Sequence, residues 1–146
     1  ALPIGLMKEV EDLRTPSGKI AFVLQCGYFR ASTRFFGNQF YQADISFVAN
    51  RLALQMPIYL EIPKQTLARH RLVISEFFGF RRLMKDDKEQ LATEITELVK
   101  QFYRPPEVFR QTLKKLENRK FILPSYDFLS TIISRALFRG KFIGAN

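Results

Sequence analysis

The chain has 146 residues, enough for one domain or for two small helical lobes, and its 47% hydrophobic and 25% charged residues exclude wholesale disorder. Twenty-three Lys plus Arg against fourteen Asp plus Glu leave a net charge of +9, a balance that points to a polyanionic partner, nucleic acid first among them. The single cysteine, Cys26, excludes an internal disulfide framework or a multi-cysteine zinc site and suits a reducing cytoplasmic setting, and the longest uncharged run, Ile20 to Phe29, falls short of the roughly 18 apolar residues of a membrane span.

Apolar residues recur at helical spacing along nearly the whole chain, and no stretch shows the sustained alternation of a half-buried strand, so an all-α fold of about seven helices is expected. Leu6, Val10 and Leu13 predict a short first helix after Pro3. Thr15 followed by Pro16 reads as an N-cap with proline at the first helical position, and Ile20, Val23, Leu24, Gly27 and Tyr28 then follow at helical spacing. Phe22, Cys26 and Phe29 fall on the other side, so this second helix is apolar nearly all round and is expected at the centre of the molecule. Ile45, Val48, Ala49 and Leu52 define a third helix, expected to end near Met56-Pro57 because a residue before proline resists helical geometry.

Pro63 opens a fourth helix, with Leu67, His70, Ile74 and Phe77 or Phe78 on one face and Gly79 as its stop. Arg69, Arg71, Arg81 and Arg82 surround it and its exit and are expected to form one basic surface for a DNA backbone, although Arg69 and Arg71 lie about 200° apart on a helical wheel. Asp86, Asp87 and Glu89 begin a fifth helix, where acidic groups suit the positive end of the dipole, and Leu91, Ile95, Leu98, Val99 and Phe102 form its stripe. Pro105-Pro106 starts a sixth, with Phe109, Leu113 and Leu116 inward and Arg110, Lys114, Lys115, Arg119 and Lys120 outward. Phe121 to Pro124 breaks it. Ser125 then caps a seventh helix, in which Leu129, Ile132, Ile133, Ala136 and Leu137 are apolar.

The charge is uneven along these elements. Residues 1–63 carry a net +1, residues 64–82 +4, residues 83–103 −2 and residues 104–146 +6, which puts two basic segments either side of an acidic helix. The whole chain is expected to be one helical DNA-binding domain, 1–146, with a division into lobes 1–82 and 83–146 as the alternative organisation. Its last two helices resemble a helix-turn-helix, whose second helix can enter a major groove. Lys114, Lys115, Arg119 and Lys120 would neutralise phosphates, while Ser125, Tyr126, Ser130, Ser134 and Arg135 offer polar reach from the second helix. Ser125 is equally suited to act as the N-cap, and Tyr126 to staple the turn to the core.

Three blocks together carry a family resemblance. Ile20-Ala-Phe-Val-Leu-Gln-Cys-Gly-Tyr-Phe-Arg30 resembles the hydrophobic Phe-x-x-x-Leu-Cys-x-x-Arg helix of Tn-three family replicative transposases. Thr66-Leu-Ala-Arg-His70, running on to Phe78-Gly-Phe-Arg81, resembles that family's Arg-His helix and its Gly-aromatic-Arg exit. Phe121-Ile-Leu-Pro-Ser-Tyr-Asp-Phe-Leu129 resembles its Ile-x-Leu-Pro-x-Tyr-x-x-Leu segment. The order and spacing match over about residues 5 to 138, whereas Arg14-Thr-Pro-Ser-Gly18 lacks the family's basic Arg-x-x-Asn-Arg run. The resemblance implies a non-catalytic N-terminal region that binds double-stranded DNA at the terminal inverted repeats of a transposon, with the remaining transposase domains, catalytic domain included, as further partners.

The residues themselves offer no catalytic cluster. His70 is the only histidine and falls on an apolar helix face, where a hydrogen-bonded structural role is expected, and Cys26 sits among Phe22, Val23 and Phe29, where a thiol is buried and inert. No phosphate loop, dinucleotide fingerprint or metal-spaced carboxylate set occurs, so neither cofactor nor metal is expected. Beside DNA binding, the composition leaves open a helical module that uses its basic faces on acidic proteins or RNA.

Overall fold

The structure, a computed structural model, describes residues 2–35, 40–55, 57, 60–102 and 104–144, with side chains as far as residue 139. Among these residues seven helices follow one another: α1 (Ile4–Asp12), α2 (Pro16–Ser32), α3 (Gln42–Arg51), α4 (Lys64–Phe77), α5 (Lys85–Gln101), α6 (Pro105–Asn118) and α7 (Tyr126–Gly144). No strand occurs among the described residues, the only extended pairing being an isolated parallel bridge between Arg81 and Phe121. The fold is all-α, as the apolar spacing predicts. The chain divides into two compact units, residues 1–79 and 80–146.

In the first unit α2 packs against α1, α3 and α4. Its start is built as the sequence predicts: Thr15 Oγ1 accepts the Gly18 N–H at 3.0 Å, and Pro16 occupies the first turn, where no N–H is needed. One side of α2 puts Ile20 and Leu24 against Ile45, Val48 and Ala49 of α3, and Phe22, Cys26 and Phe29 are buried on the other. Gly27 is exposed, outside the expected stripe. Tyr28 donates a 2.7 Å hydrogen bond to Asp44 at the start of α3, and burial with that bond pushes the phenol up to about 12.

α3 is shorter than expected. It ends at Arg51 because Ala53 turns left-handed at φ 55°, and the Leu54 N–H then bonds back to the Ala49 carbonyl, returning Leu54 to the α3 core. An alanine in that conformation carries no sequence signal, and the Met56 of the expected end lies outside the described residues. α4 stops where its glycine predicts, with Gly79 at φ 76°.

The second unit has its own core, and α2 is the central helix of the first unit. Leu91, Ile95 and Leu98 of α5 meet Leu129, Ile133 and Ala136 of α7, with Val108 and Leu116 of α6 completing the cluster. The row α6 buries runs through Val108, Thr112 and Leu116, whereas Phe109 and Leu113 only flank it. Thr112 escapes a hydrophobicity count but is fully buried, its hydroxyl donating to the Val108 carbonyl at 2.8 Å.

Candidate functional site

The expected basic residues fall in both units. Arg69 and Arg71 belong to the first, and Arg81 and Arg82 to the second. Arg69 is exposed on α4, while Arg71, nearly opposite on the wheel, is half-buried and donates from Nε to Gln25 Oε1 at 3.0 Å. A guanidinium only donates, so this contact turns the Gln25 amide nitrogen towards His70 Nδ1 at 3.5 Å. His70 therefore accepts at Nδ1 and carries its proton on Nε2, which is buried without a hydrogen-bond partner among the described residues. The ring meets Phe22 edge-on, with centroids 5.2 Å apart. Burial, reinforced by Arg69, holds the imidazole below its usual range. Gln25, 1% exposed, ties α2 to α4 through this cluster, and nothing in the apolar spacing of α2 marks it.

Cys26 is fully buried, and burial raises its thiol to about 12, so no nucleophile is available there. Among the described residues no group of three or more His, Cys, Asp or Glu side chains is placed to hold a metal ion. No described helix is long and apolar enough to cross a membrane.

In the second unit the acidic helix α5 serves as counter-charge for part of α6. Arg119 Nη1 reaches both Glu94 carboxylate oxygens, at 2.7 and 2.8 Å, and Lys115 Nζ lies 4.0 Å from the same group. On α6 itself Arg110 pairs with Glu107 at 2.7 Å, and hydrogen bonds from Arg110 and Gln111 hold the Glu107 carboxyl below its usual value. Lys114 is exposed and forms no ion pair among the described residues. Lys120 adopts a left-handed φ of 62° where α6 ends, and its ammonium lies 5.0 Å from the Phe80 ring centroid. Of the cations expected to face phosphate, Arg81, Arg110, Lys115 and Arg119 are in ion pairs, Arg81 with Asp87 at 3.2 Å.

Residues 119–125 join α6 to α7. Ser125 caps α7, its hydroxyl accepting the Phe128 N–H at 3.1 Å. Tyr126 stacks on Phe109 of α6 with centroids 5.1 Å apart, yet 63% of the residue stays exposed. Ser130 is half-buried, and Thr131, Ser134, Arg135 and Arg139 are exposed along the length of α7. Asp127 is the sole carboxylate of that helix.

Two further cations were not expected at a site. Lys85 and Lys88 lie in the first turn of α5, at the end of the dipole that disfavours positive charge, and with Arg82 they rim a groove whose floor includes Leu83, Leu123 and Phe128. Cations at a helix N-terminus are a local inconsistency that a sequence can show, but the neighbouring Asp86 and Asp87 mask it.

A family profile described as a domain of unknown function, DUF4158, matches residues 7–136. No curated protein matches the chain.

Proposed function

The chain belongs to the DUF4158 family, and from that premise we propose that it binds duplex DNA as the non-catalytic end-recognition part of a Tn-three family transposase. In this reading α6 and α7 act as a helix-turn-helix and α7 lies in the major groove of a terminal inverted repeat. The observation that carries it is α7 itself, on which Thr131, Ser134, Arg135 and Arg139 are exposed and Asp127 is the single carboxylate. Such a helix can bring its arginines to phosphates while its hydroxyls reach base edges, with Asp127 alone opposing the approach. Lys114 supplies an exposed cation on α6 that forms no ion pair among the described residues, and the three sequence blocks that resemble the transposase family point to the target. Ser125, spent on its cap, positions the helix and reads nothing.

The test compares binding to an inverted-repeat duplex and to a scrambled duplex at two salt concentrations. Ser130→Ala should reduce preference for the repeat and spare nonspecific affinity, whereas Lys114→Ala should lower both and flatten the salt slope by about one unit. Proportional loss in both variants, or loss in neither, removes α7 as the reader.

One observation in the first unit favours a protein contact there as well. Ile4 is 87% exposed, Met7 and Phe77 are half exposed, and the Phe77 ring lies over Gly5, where an added Cβ would come within 2.8 Å of it. An apolar surface of this kind suits contact with the remaining domains of the transposase.

A further inference from the structure

The groove rimmed by Arg82, Lys85 and Lys88 has a volume of about 450 Å³ and lies wholly within the second unit. Its lining pairs those three cations with an apolar floor and with Ser125, and no carboxylate takes part. Elsewhere in this unit Arg81, Lys100, Arg110, Lys115 and Arg119 each face an acidic partner. Arg82 and Lys85 are exposed and form no ion pair among the described residues, and Lys88 leans on the Phe128 ring, 5.3 Å from its centroid. Of the two carboxylates in the same helical turn as the lysines, neither lines the groove, and Asp87 accepts the Met84 N–H at 2.9 Å and pairs with Arg81 at 3.2 Å.

Three cations brought together without a counter-charge repel one another, and an anion bound between them removes that repulsion. The apolar floor adds a requirement that a free inorganic ion would not use: something flat or hydrocarbon beside the charge. A phosphodiester meets both, with its oxygens towards Arg82, Lys85 and Lys88 and its deoxyribose against Phe128 and Pro124. The groove also borders Ser125, directly before α7, so a phosphate held there would flank the DNA that α7 enters.

We propose that this groove is a backbone clamp that grips a DNA phosphate next to the segment read by α7, with Arg82, Lys85 and Lys88 as its ligands. The inference rests on the DNA-binding reading of the second unit and adds Lys85 and Lys88, which that reading does not use.

The experiment measures duplex affinity against salt for the whole chain and for Lys85→Gln/Lys88→Gln, with Lys85→Arg/Lys88→Arg as the charge-preserving variant and Lys100→Gln, outside the groove, as a control. All three sites are solvent-facing, and thermal unfolding checks that each variant keeps its fold. The double Gln variant should bind every duplex roughly tenfold more weakly near physiological salt and lose about one unit of salt slope, the double Arg variant should bind as the parent does, and Lys100→Gln should change neither. Unchanged slope in the double Gln variant, or an equal fall with Lys100→Gln, overturns the clamp and leaves the DNA-binding reading intact. Failure of the parent chain to bind any duplex at low salt overturns both. Equal weakening by added inorganic phosphate at constant ionic strength would show that a free anion suffices, which overturns the assignment to the backbone.

Discussion

Arg81 and Phe121 are joined twice. The Arg81 N–H donates to the Lys120 carbonyl and the Ile122 N–H to the Arg81 carbonyl, both at 2.9 Å, so that the main chain of Arg81 brackets Phe121. The Arg81 guanidinium then lies over the Phe121 ring, 4.2 Å from its centroid, while pairing with Asp87 at 3.2 Å. Phe121 is buried in the core of the second unit, so this contact fixes the approach to α5 and the exit from α6 at one point.

Arg81→Ala should therefore lower stability by about 1 kcal/mol, the worth of a partly exposed cation–π contact with an ion pair beside it. Arg82→Ala should change it by less than about 0.5 kcal/mol, since Arg82 makes no such contact among the described residues. Chemical denaturation midpoints of the two variants decide the point; equal effects would mean that Arg81 acts only as a surface charge.

Glu94 neutralises Arg119 and Lys115, so Glu94→Gln should release both. Removing a half-buried, paired carboxylate should cost about 1 to 2 kcal/mol of stability. Duplex binding should nevertheless become tighter and its salt slope steeper, because two cations are freed and a negative charge is lost. Weaker binding in a folded Glu94→Gln protein would mean instead that Glu94 holds Arg119 in its working position.

His70 is held neutral by burial, its folded value lying below the ordinary 6.5. Below that pH the unfolded chain binds a proton that the folded chain refuses. The stabilisation is complete above about pH 6.5 and is lost as pH falls towards the folded value, with a slope of at most about 1.4 kcal/mol per pH unit. Unfolding curves between pH 7 and pH 5 should show this fall in the parent and a flatter profile in His70→Gln, at a lower stability overall. Parallel profiles would assign the fall to carboxylates.

Lys120 holds a left-handed conformation at the end of α6, with the Phe121 N–H bonded back to the Leu116 carbonyl at 2.9 Å. Glycine adopts that conformation freely and alanine does not. Both substitutions lose the ammonium over Phe80, so their difference isolates the backbone: Lys120→Gly should be about 1 kcal/mol more stable than Lys120→Ala. Equal melting temperatures would show that the turn relaxes around either residue.

What local sequence determines, it determines here through effects that act within a few residues. Thr15-Pro16 starts α2 and Ser125 caps α7 because a side-chain oxygen and a missing N–H satisfy helix ends wherever they occur, and Gly79 stops α4 because only glycine turns left-handed without strain. The helical period places Leu91, Ile95 and Leu98 on one face before any partner for that face is known. The pairing of charges obeys no such local rule. Arg119 and Glu94 stand 25 residues apart, and only the packing of α5 on α6 brings them to 2.7 Å, turning expected phosphate ligands into an internal tether. Gln25 and Arg71 meet across α2 and α4 in the same way, and the early end of α3 at Ala53 answers to the place of Leu54 in a core that forms from distant segments. Composition and spacing thus decide that the protein is helical and basic, whereas which cations remain free to meet a polyanion is decided by tertiary packing, because charges pair by distance in space and not along the chain.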